Sequence, residues 1–490
     1  MDDGGVPPYF YNREVRFSEF RQRVRRHSPS TLLPAIATRA REKVWRDSWF
    51  QGYRVETPWA LAAAARVALV YGDERRSAAT GADVLPICAA FASLKMLRRN
   101  ASIEELRAFF LRTVFEQLPY QSSVGNDVAR SVAMFRDSLA AVSPTVLTPD
   151  ALAEVLGGSV VEFVGTGWLL FASAMDNDGW FHDEWIDGPQ FAEVLAALPA
   201  ETLRRLIARA FAADMAAQRT DGLAHAGDHR TDPQGERFAY NPLSNRPLVT
   251  MKPGRYLVPS PLLLLGRVTT TGIYYAAMGA LGPSIGRDLG ATFEHYVGRQ
   301  LGQLPGATLV AEITYGKPEQ RTVDWFVVLE DLVLLVEVKA PRLTAGARHG
   351  GPELEADLQR TIGKSRGQID RTAELLVSAQ PELTAAGIPA GVPVRGLIVT
   401  LEPYHLVQSP LIDPLLPAVK TPTTVASIHD LEHMVALAGI GPGLSQQLQR
   451  IQDDPELATW SALQAVRHAW PGLTGANAII DEASAELPWQ

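Results

Sequence analysis

The sequence predicts a multidomain protein: a large helical N-terminal region, an α/β domain with a mixed central sheet, and a small helical C-terminal appendage. Residues 1–284 are dominated by segments rich in Ala and Leu, residues 285–410 alternate apolar runs with one long polar helix, and residues 411–490 become helical again after a Pro-rich link. The 490 residues are 46% hydrophobic and 20% charged, which suits several globular domains. This composition excludes a disordered, collagen-like or coiled-coil chain.

Helical signals follow one another through the N-terminal region. Residues 58–71 are rich in Ala and Leu, and Ser102 with Glu105 forms a capping-box pattern at the start of an apolar run. Residues 219–255 interrupt this pattern because they are polar and rich in Gly, Pro, Asn and Asp. We therefore expect a long loop there, inside an otherwise helical region.

A basic cluster lies near the N-terminus, although the whole chain carries a net charge of −8. Residues 1–60 hold eleven Lys and Arg against seven Asp and Glu, and the cluster comprises Arg21, Arg23, Arg25 and Arg26. Two interpretations stay open. The cluster is either a solvated helix face or an arm that contacts nucleic-acid phosphates.

The pattern of the second region predicts a helix at 288–304, strands at 308–314, 322–329 and 332–338, a helix at 353–378, and a strand at 394–401. Strands followed by a helix and another strand are typical of a mixed sheet in an α/β domain. The third region then adds a short strand at 423–427 and a helix from His429.

Charged residues interrupt two of the apolar strands of the α/β domain. Glu337 and Lys339 lie two residues apart at the end of a strand, so their side chains point to the same face. Asp324 lies in the preceding strand, and a hairpin turn at residues 330 and 331 would bring it beside Glu337. Paired carboxylates in an oxygen-only site suit a hard ion, so we expect Mg²⁺ or Mn²⁺.

The pattern Asp324…Glu337-Val-Lys339 resembles the PD-(D/E)XK nuclease superfamily, which has the restriction-endonuclease-like fold. Glu294 on the upstream helix and Gln368 on the downstream helix match further positions of this family. A Val at 323 stands where the family often has Pro. The resemblance covers residues 283–404, about a quarter of the chain.

The resemblance implies a metal-dependent deoxyribonuclease in bacterial defence or DNA processing. Asp324, Glu337 and the carbonyl of Val338 would hold the ion, and Lys339 would orient or stabilise the attacking water, with a pKa depressed by that ion. By the same resemblance, Glu294 would bind a second metal or a metal-bound water. Gln368 would position Lys339 or that water.

Two other functions stay open beside the deoxyribonuclease. The chain could be a helical interaction or scaffold protein whose α/β domain binds DNA without cutting it, or a nuclease that acts on RNA. A scaffold would be favoured if the acidic pair lacked a member, and both members are present. In the deoxyribonuclease interpretation, the helical region would sense a partner, form a homo-oligomer or select DNA. Separately, the Gly-rich turn at 439–443 resembles a helix-hairpin-helix phosphate-binding turn.

The expected compartment follows from the cysteine content and from the apolar segments. The single cysteine, Cys88, cannot form an intrachain disulfide, which favours a reducing compartment. The first residues lack the basic and apolar segments of a secretory signal. The longest apolar runs, 163–175 and 256–265, are shorter than the ~18 residues that span a bilayer. We therefore expect a cytoplasmic protein without membrane contacts.

Overall fold

The computed structural model describes residues 14–44, 55–94, 97, 100–117, 120, 124–225, 235–317 and 319–487. It is a mixed α/β protein. Within the described residues, helices surround a five-stranded sheet, a four-stranded sheet and a two-stranded hairpin.

The first part of the N-terminal region is helical, as the sequence predicts. Its helices are α1 (Phe17–Val24), α2 (Pro29–Glu42), α3 (Pro58–Tyr71), α4 (Gly81–Ala92), α5 (Ile103–Gln117), α6 (Val124–Val132), α7 (Leu139–Ala141), α8 (Pro149–Leu156) and α9 (Val160–Asp176). Helix α3 is buried along almost its whole length and packs between α2 and α4. The single cysteine, Cys88 on α4, is buried in the same core.

The second part of this region contains a small sheet that the sequence did not predict. Its elements are β1 (Trp180–His182), α10 (Ala192–Ala197), α11 (Ala200–Leu206), β2 (Ala212–Asp214), α12 (Met215–Ala224), β3 (Leu248–Lys252), β4 (Arg255–Leu257), α13 (Pro261–Arg267) and α14 (Thr270–Leu281). The strand order is β1-β4-β3-β2.

The prediction of one long loop at 219–255 is therefore wrong at both of its ends. Helix α12 continues into this range to Ala224, and the antiparallel pair β3–β4 lies at its other end. The turn between these strands contains Pro253 and Gly254, and Gly254 has a φ of 70°, which glycine adopts without strain. Strands of three to five residues offer too few alternations to be distinguished from a loop.

The second region carries the five-stranded central sheet. Its elements are α15 (Gly286–Leu301), β5 (Thr308–Ala311), β6 (Thr314–Tyr315), β7 (Gln320–Arg321), β8 (Trp325–Val328), β9 (Val333–Lys339), α16 (Ala345–Arg348), α17 (Glu353–Leu358), α18 (Lys364–Val377), α19 (Pro381–Ala385) and β10 (Val394–Thr400). The predicted strand at 308–314 is divided between β5 and β6, which belong to different sheets, and β8 begins at Trp325, so Asp324 precedes the strand in which it was predicted. The other predicted strands are present, and Leu329 N donates to Leu332 O (3.0 Å) around the predicted turn. A π-helical segment, Gln359–Gly363, joins α17 to α18.

The third region completes that sheet, so the predicted domain boundary at residue 410 cuts through it. The remaining elements are β11 (Thr423–Ser427), α20 (Ile428–Ala438), α21 (Leu444–Asp453), α22 (Ala462–Ala469) and α23 (Ala478–Ala485). The order of the sheet is β11-β10-β9-β8-β5, with β9, β10 and β11 parallel and β5, β8 and β9 antiparallel. The Pro-rich segment before β11 is the crossover connection between two parallel strands.

Helices cover both faces of the central sheet, because its strands are apolar on both sides. Leu334 and Val336 share one core with α15, α20 and α9, whereas Leu335 packs with α17 and α18 on the other face. The first core extends from the N-terminal helices to α23. The three predicted regions thus share buried surface.

Helices α8 and α9 adjoin in one apolar stretch. The span Pro149–Asp176 is long and apolar enough to cross a bilayer by length and composition, and 56% of its most apolar window is buried inside the protein. Phe163 and Val164 of α9 are fully buried in the large core. A core helix passes the same test, so this span carries no membrane argument.

Candidate active site

The hairpin β8–β9 places two predicted carboxylates at one end of the central sheet, where β8 begins and β9 ends. Asp324 directly precedes β8, and Glu337 lies near the end of β9, with Trp325 opposite Val336 in the antiparallel register. The Val338 amide donates to Asp324 Oδ2 at 2.6 Å. The backbone of Val338, the predicted carbonyl ligand, is thereby held against the first carboxylate.

Glu337 is the centre of a hydrogen-bonded group that includes two more predicted residues. It is fully buried, and Lys339 Nζ donates to its Oε2 at 2.5 Å. From α18, Gln368 Nε2 donates to the other oxygen, Oε1, at 3.0 Å. Residues two apart on a strand share a face, and this face of β9 packs against α18. One helical layer thus contributes Gln368.

The opposite helical layer contributes Glu294 through α15. One turn later on the same helix face, Gly298 lies against the Trp325 ring, and a Cβ at this position would come within 2.5 Å of Trp325 Cζ2. Glycine therefore allows α15 to approach the start of β8 closely. This approach brings the Glu294 carboxylate into the electrostatic field of Asp324 and Lys339.

Three further charged residues lie in this field, and the sequence analysis missed them. Glu312 follows β5, whose last pair, Ala311 with Trp325, puts it beside Asp324. Arg321 Nη1 bonds to Glu312 Oε2 at 3.0 Å. Lys364 acts on Asp324 from α18, one turn before Gln368. Lys364 could have been predicted from the sequence, because residues four apart, such as Lys364 and Gln368, share a helix face.

Burial raises the pKa of all three carboxyl groups, and neighbouring acids raise it further for Glu337 and Glu294. Burial first, and then Asp324, raises the pKa of Glu337 to about 8. Burial, Asp324 and Glu312 raise the pKa of Glu294 to about 7. Burial also raises the pKa of Asp324, against the opposing effect of Lys339. The site therefore concentrates acidic groups that oppose ionisation in one another.

Lys339 differs from the expectation of a depressed pKa. Burial alone would lower its pKa, but Glu337 and Asp324 raise it above the ordinary value. The expectation assumed an adjacent cation, whereas in the chain by itself the nearest charges are carboxylates. The Lys339 ammonium is therefore a cationic hydrogen-bond donor here, not a neutral base.

The donor set fits a hard divalent cation. Asp324, Glu337 and Glu294 supply carboxylate oxygens only, which are the ligands that Mg²⁺ and Mn²⁺ prefer. Within the described residues, no three His, Cys, Asp or Glu side chains are gathered closely enough to form a finished metal site. Lys339 instead bonds to one oxygen of Glu337. Coordination by both oxygens of Glu337 would require Lys339 to release it.

Glu294→Gln is expected to increase the free energy of unfolding of the metal-free protein by on the order of 1 kcal/mol, after allowance for solvent screening. Its melting temperature should therefore rise. Above pH 7 wild-type Glu294 is ionised at a cost, because its folded pKa is about 7. The amide removes that cost. Below the unfolded pKa of about 4.5 both forms are neutral, and the difference should vanish.

Thermal melts of both proteins in EDTA between pH 4 and pH 8.5 measure this effect. Glu330→Gln, an exposed acid in the β8–β9 turn, is the matched control and should show no pH-dependent gain. An equal gain for Glu294→Gln at pH 4 and pH 8 would contradict the electrostatic explanation.

The predicted arginine cluster is divided by its contacts. Arg21 Nη1 bonds to Glu236 Oε1 at 2.7 Å, and its guanidinium lies 5.1 Å from the centre of the Tyr71 ring. Arg23 is half-buried on α1, whereas Arg25 and Arg26 are exposed just after it. Arg21 therefore has an internal role, and only two members of the cluster are fully presented to solvent.

The turn that resembles a helix-hairpin-helix lies between α20 and α21. Gly439 follows α20, Gly443 precedes α21, and Ile440 is exposed at the tip. The backbone amides of Ile440 and Gly441 both donate to Leu437 O. These two amides close the preceding helix, as in a glycine-terminated helix end.

No family model, no curated protein and no solved structure matches this chain.

Proposed function

We propose that this protein is a metal-dependent nuclease of the PD-(D/E)XK type that hydrolyses phosphodiester bonds in DNA. One observation carries the proposal: hydrogen bonds of 2.5–3.0 Å connect four predicted residues at one end of the sheet, directly or through the Val338 backbone. These residues are Asp324, Glu337, Lys339 and Gln368. Glu294 enters from the other helical layer. A solubilising Glu–Lys pair on an exposed strand would not be buried in this way.

Each residue has a distinct task in this proposal. Asp324, Glu337 and the Val338 carbonyl would hold Mg²⁺, which when bound polarises the scissile phosphate and lowers the pKa of water. Lys339 is cationic and donates hydrogen bonds, so it stabilises negative charge that develops on the attacked phosphate. Gln368 fixes one oxygen of Glu337, which leaves the other oxygen to Lys339.

Incubation of the purified full-length chain with plasmid and linear DNA tests the proposal. Cleavage with Mg²⁺ or Mn²⁺ and none with EDTA is the expected result. Parallel reactions with single-stranded and duplex RNA decide the substrate class, since cleavage of RNA alone would replace the deoxyribonuclease by a ribonuclease. DNA binding without cleavage under any metal would support the scaffold alternative instead.

The helical region is proposed to control access or partner choice without supplying a catalytic group. It is fixed to the α/β domain by α5, where Arg107 Nε donates to Leu411 O (2.8 Å) and Arg112 Nε to His349 O (2.9 Å). Leu111, between these arginines, is buried in the core that lies beneath α18. A partner protein or a second copy that binds this region could thereby act on the loop after β9. A role in bacterial defence in the cytoplasm is the context that the resemblance implies.

Arg25 and Arg26 are expected to supply DNA affinity through phosphate contacts. The double change to Ala should weaken DNA binding and reduce the slope of log affinity against log salt by about two counterions. Both side chains are exposed, so the fold should not change. Titrations of fluorescent duplex DNA at several salt concentrations measure the slope.

Arg204→Ala with Arg205→Ala provides a control, since these adjacent arginines of α11 carry the same two charges away from the cluster, whereas Arg75 and Arg76 lie beside it through the His27–Ser77 bridge. The four-residue variant that includes Arg21 and Arg23 is less informative, because loss of the Arg21–Glu236 contact also affects stability. An unaltered salt slope in the Arg25/Arg26 variant would remove this arm from the DNA-binding surface.

A further inference from the structure

A polar cavity of about 170 Å³ lies far along the chain from the candidate catalytic residues, between α6, α20, α22 and α23. Its lining includes His429 and His433 of α20, Arg467 of α22 and Asp481 of α23. This volume is below the ~300–1,000 Å³ of sites for drug-sized ligands. The space therefore suits a small polar group.

The two histidines present ring nitrogens on one helix face, because they are four residues apart on α20. His433 Nε2 is buried and has no hydrogen-bond partner within the described residues. An unsatisfied buried nitrogen is costly, so a polar occupant would relieve it. Burial, then Arg467 and His429, lower the pKa of His433 to about 4, so its neighbours give it a positive electrostatic environment.

Arg467 adds a guanidinium that no described residue binds by a hydrogen bond or an ion pair. It is exposed at the end of α22. Arginine binds oxyanions through two parallel N–H donors, more strongly than neutral donors do. Asp481 is the opposing charge in the lining, and its carboxylate also forms no ion pair within the described part of the chain.

The other acid of the lining, Glu432, belongs to a buried network in which the Arg130 guanidinium serves two carboxylates, because Arg130 Nη1 also donates to Asp127 Oδ1 at 2.5 Å. Arg130 donates to both oxygens of Glu432, from Nε and Nη2 at 2.6 Å each, and Tyr296 OH donates to Oε1 at 2.8 Å. Glu432 is 3% exposed, so its charge stays in this network. The network joins the lining to α15 and also engages His429, whose Nδ1 lies 3.4 Å from Arg130 Nη2. Among the described residues, His433 Nε2 and the Arg467 guanidinium stay without a hydrogen-bond partner.

We propose that this cavity is a binding site for a small phosphate-bearing ligand, held by the Arg467 guanidinium and the His429 and His433 imidazoles. The ligand is inorganic phosphate or the phosphate group of a nucleoside monophosphate, which share the same oxyanion. The inference goes beyond the proposed nuclease function and does not depend on it, since it uses none of the candidate catalytic residues.

Isothermal titration of the full-length chain in EDTA, with inorganic phosphate and separately with a 5′-nucleoside monophosphate, tests the site. Arg467→Ala should weaken binding by about tenfold or more, because a charge-assisted hydrogen-bond pair is lost. His433→Phe, which keeps a ring, should weaken it severalfold. Asp481→Asn should tighten it by about twofold to fivefold, because a like charge is removed.

Two residues of the same tail provide matched controls. Arg450→Ala removes an exposed arginine of α21 that pairs with Asp454, and His468→Phe changes the neighbour of Arg467 that packs on Trp460. Neither should change affinity. Opposite effects of Arg467→Ala and Asp481→Asn cannot arise from partial unfolding, since unfolding weakens binding in every variant.

The two ligands decide the source of the phosphate group, because tighter binding of the nucleotide would indicate that the sugar and base are also contacted. Absence of binding by both ligands at millimolar concentration would overturn the proposal. Binding that Arg467→Ala and Asp481→Asn leave unchanged would overturn it as well, since the ligand would then lie elsewhere. EDTA keeps cation-mediated binding at the candidate active site out of the measurement.

Discussion

Asp324→Asn and Glu337→Gln are each expected to reduce metal-dependent cleavage by at least about a thousandfold while the chain stays folded. Each change removes a carboxylate that would be ionised when it holds the ion, but keeps the size of the side chain. The Asn carbonyl oxygen at 324 can still accept from the Val338 amide, so the hairpin should keep its geometry. Only one of the two carboxylates of the hairpin would then be left to hold Mg²⁺, so the ion should bind poorly.

Single-turnover cleavage of end-labelled DNA at saturating protein measures these effects, and thermal melts establish folding. Glu330→Gln changes an exposed acid of the same hairpin and should cut at the wild-type rate. Cleavage by either active-site variant at the wild-type rate would show that the carboxylates are not the metal ligands. A loss of cleavage together with a collapsed melting transition would require Asp324→Glu as a further test of folding against chemistry.

The part of the site that lies on strands could be predicted from the sequence because strand geometry is local. A period of two puts Glu337 and Lys339 on one face, and a short turn after β8 returns the chain beside Asp324. Apolar residues on both faces of β9 indicate a buried strand, so its charged end is conspicuous. These inferences need only a few neighbouring residues.

The missed parts depend on contacts between distant segments. Glu312 becomes part of the site only because β5 pairs with β8, a register that the sequence does not specify. Strand β11 joins the sheet by a parallel crossover from β10, and the intervening Pro-rich segment looks like a linker when read alone. The four-stranded sheet consists mostly of strands of three residues, which show no measurable period.

The sequence indicates which charged residues interact, but it does not give the direction of the resulting pKa shift. The sequence indicates that Lys339 lies beside acids, yet whether its pKa rises or falls depends on which charge is nearest. In the folded chain the nearest charges are the carboxylates of Glu337 and Asp324, and the pKa rises. The same reasoning applies to the arginine cluster, because only the folded structure reveals that Glu236 and Tyr71 engage Arg21.

Lys339→Ala is expected to lower the single-turnover cleavage rate by at least about a hundredfold while DNA binding is kept. Its ammonium is held 2.5 Å from Glu337 Oε2. Under the proposed mechanism, in which Glu337 holds the ion that binds the phosphate, the ammonium would stabilise the negative charge that develops there. A residue of this kind acts on the transition state more than on the bound ground state, so the rate should fall and the affinity should not.

A second readout separates this role from a structural one. Loss of the ammonium removes the ion pair of a fully buried carboxylate, so Lys339→Ala should lower the melting temperature in EDTA. Lys420→Ala, an exposed lysine that pairs with Glu374, should change neither rate nor melting temperature. If Lys339→Ala lost DNA binding but kept its single-turnover rate, Lys339 would be a substrate-binding residue and not a participant in the chemistry. If Lys339→Arg restored the melting temperature but not the rate, the position and shape of the ammonium would matter for cleavage beyond its charge.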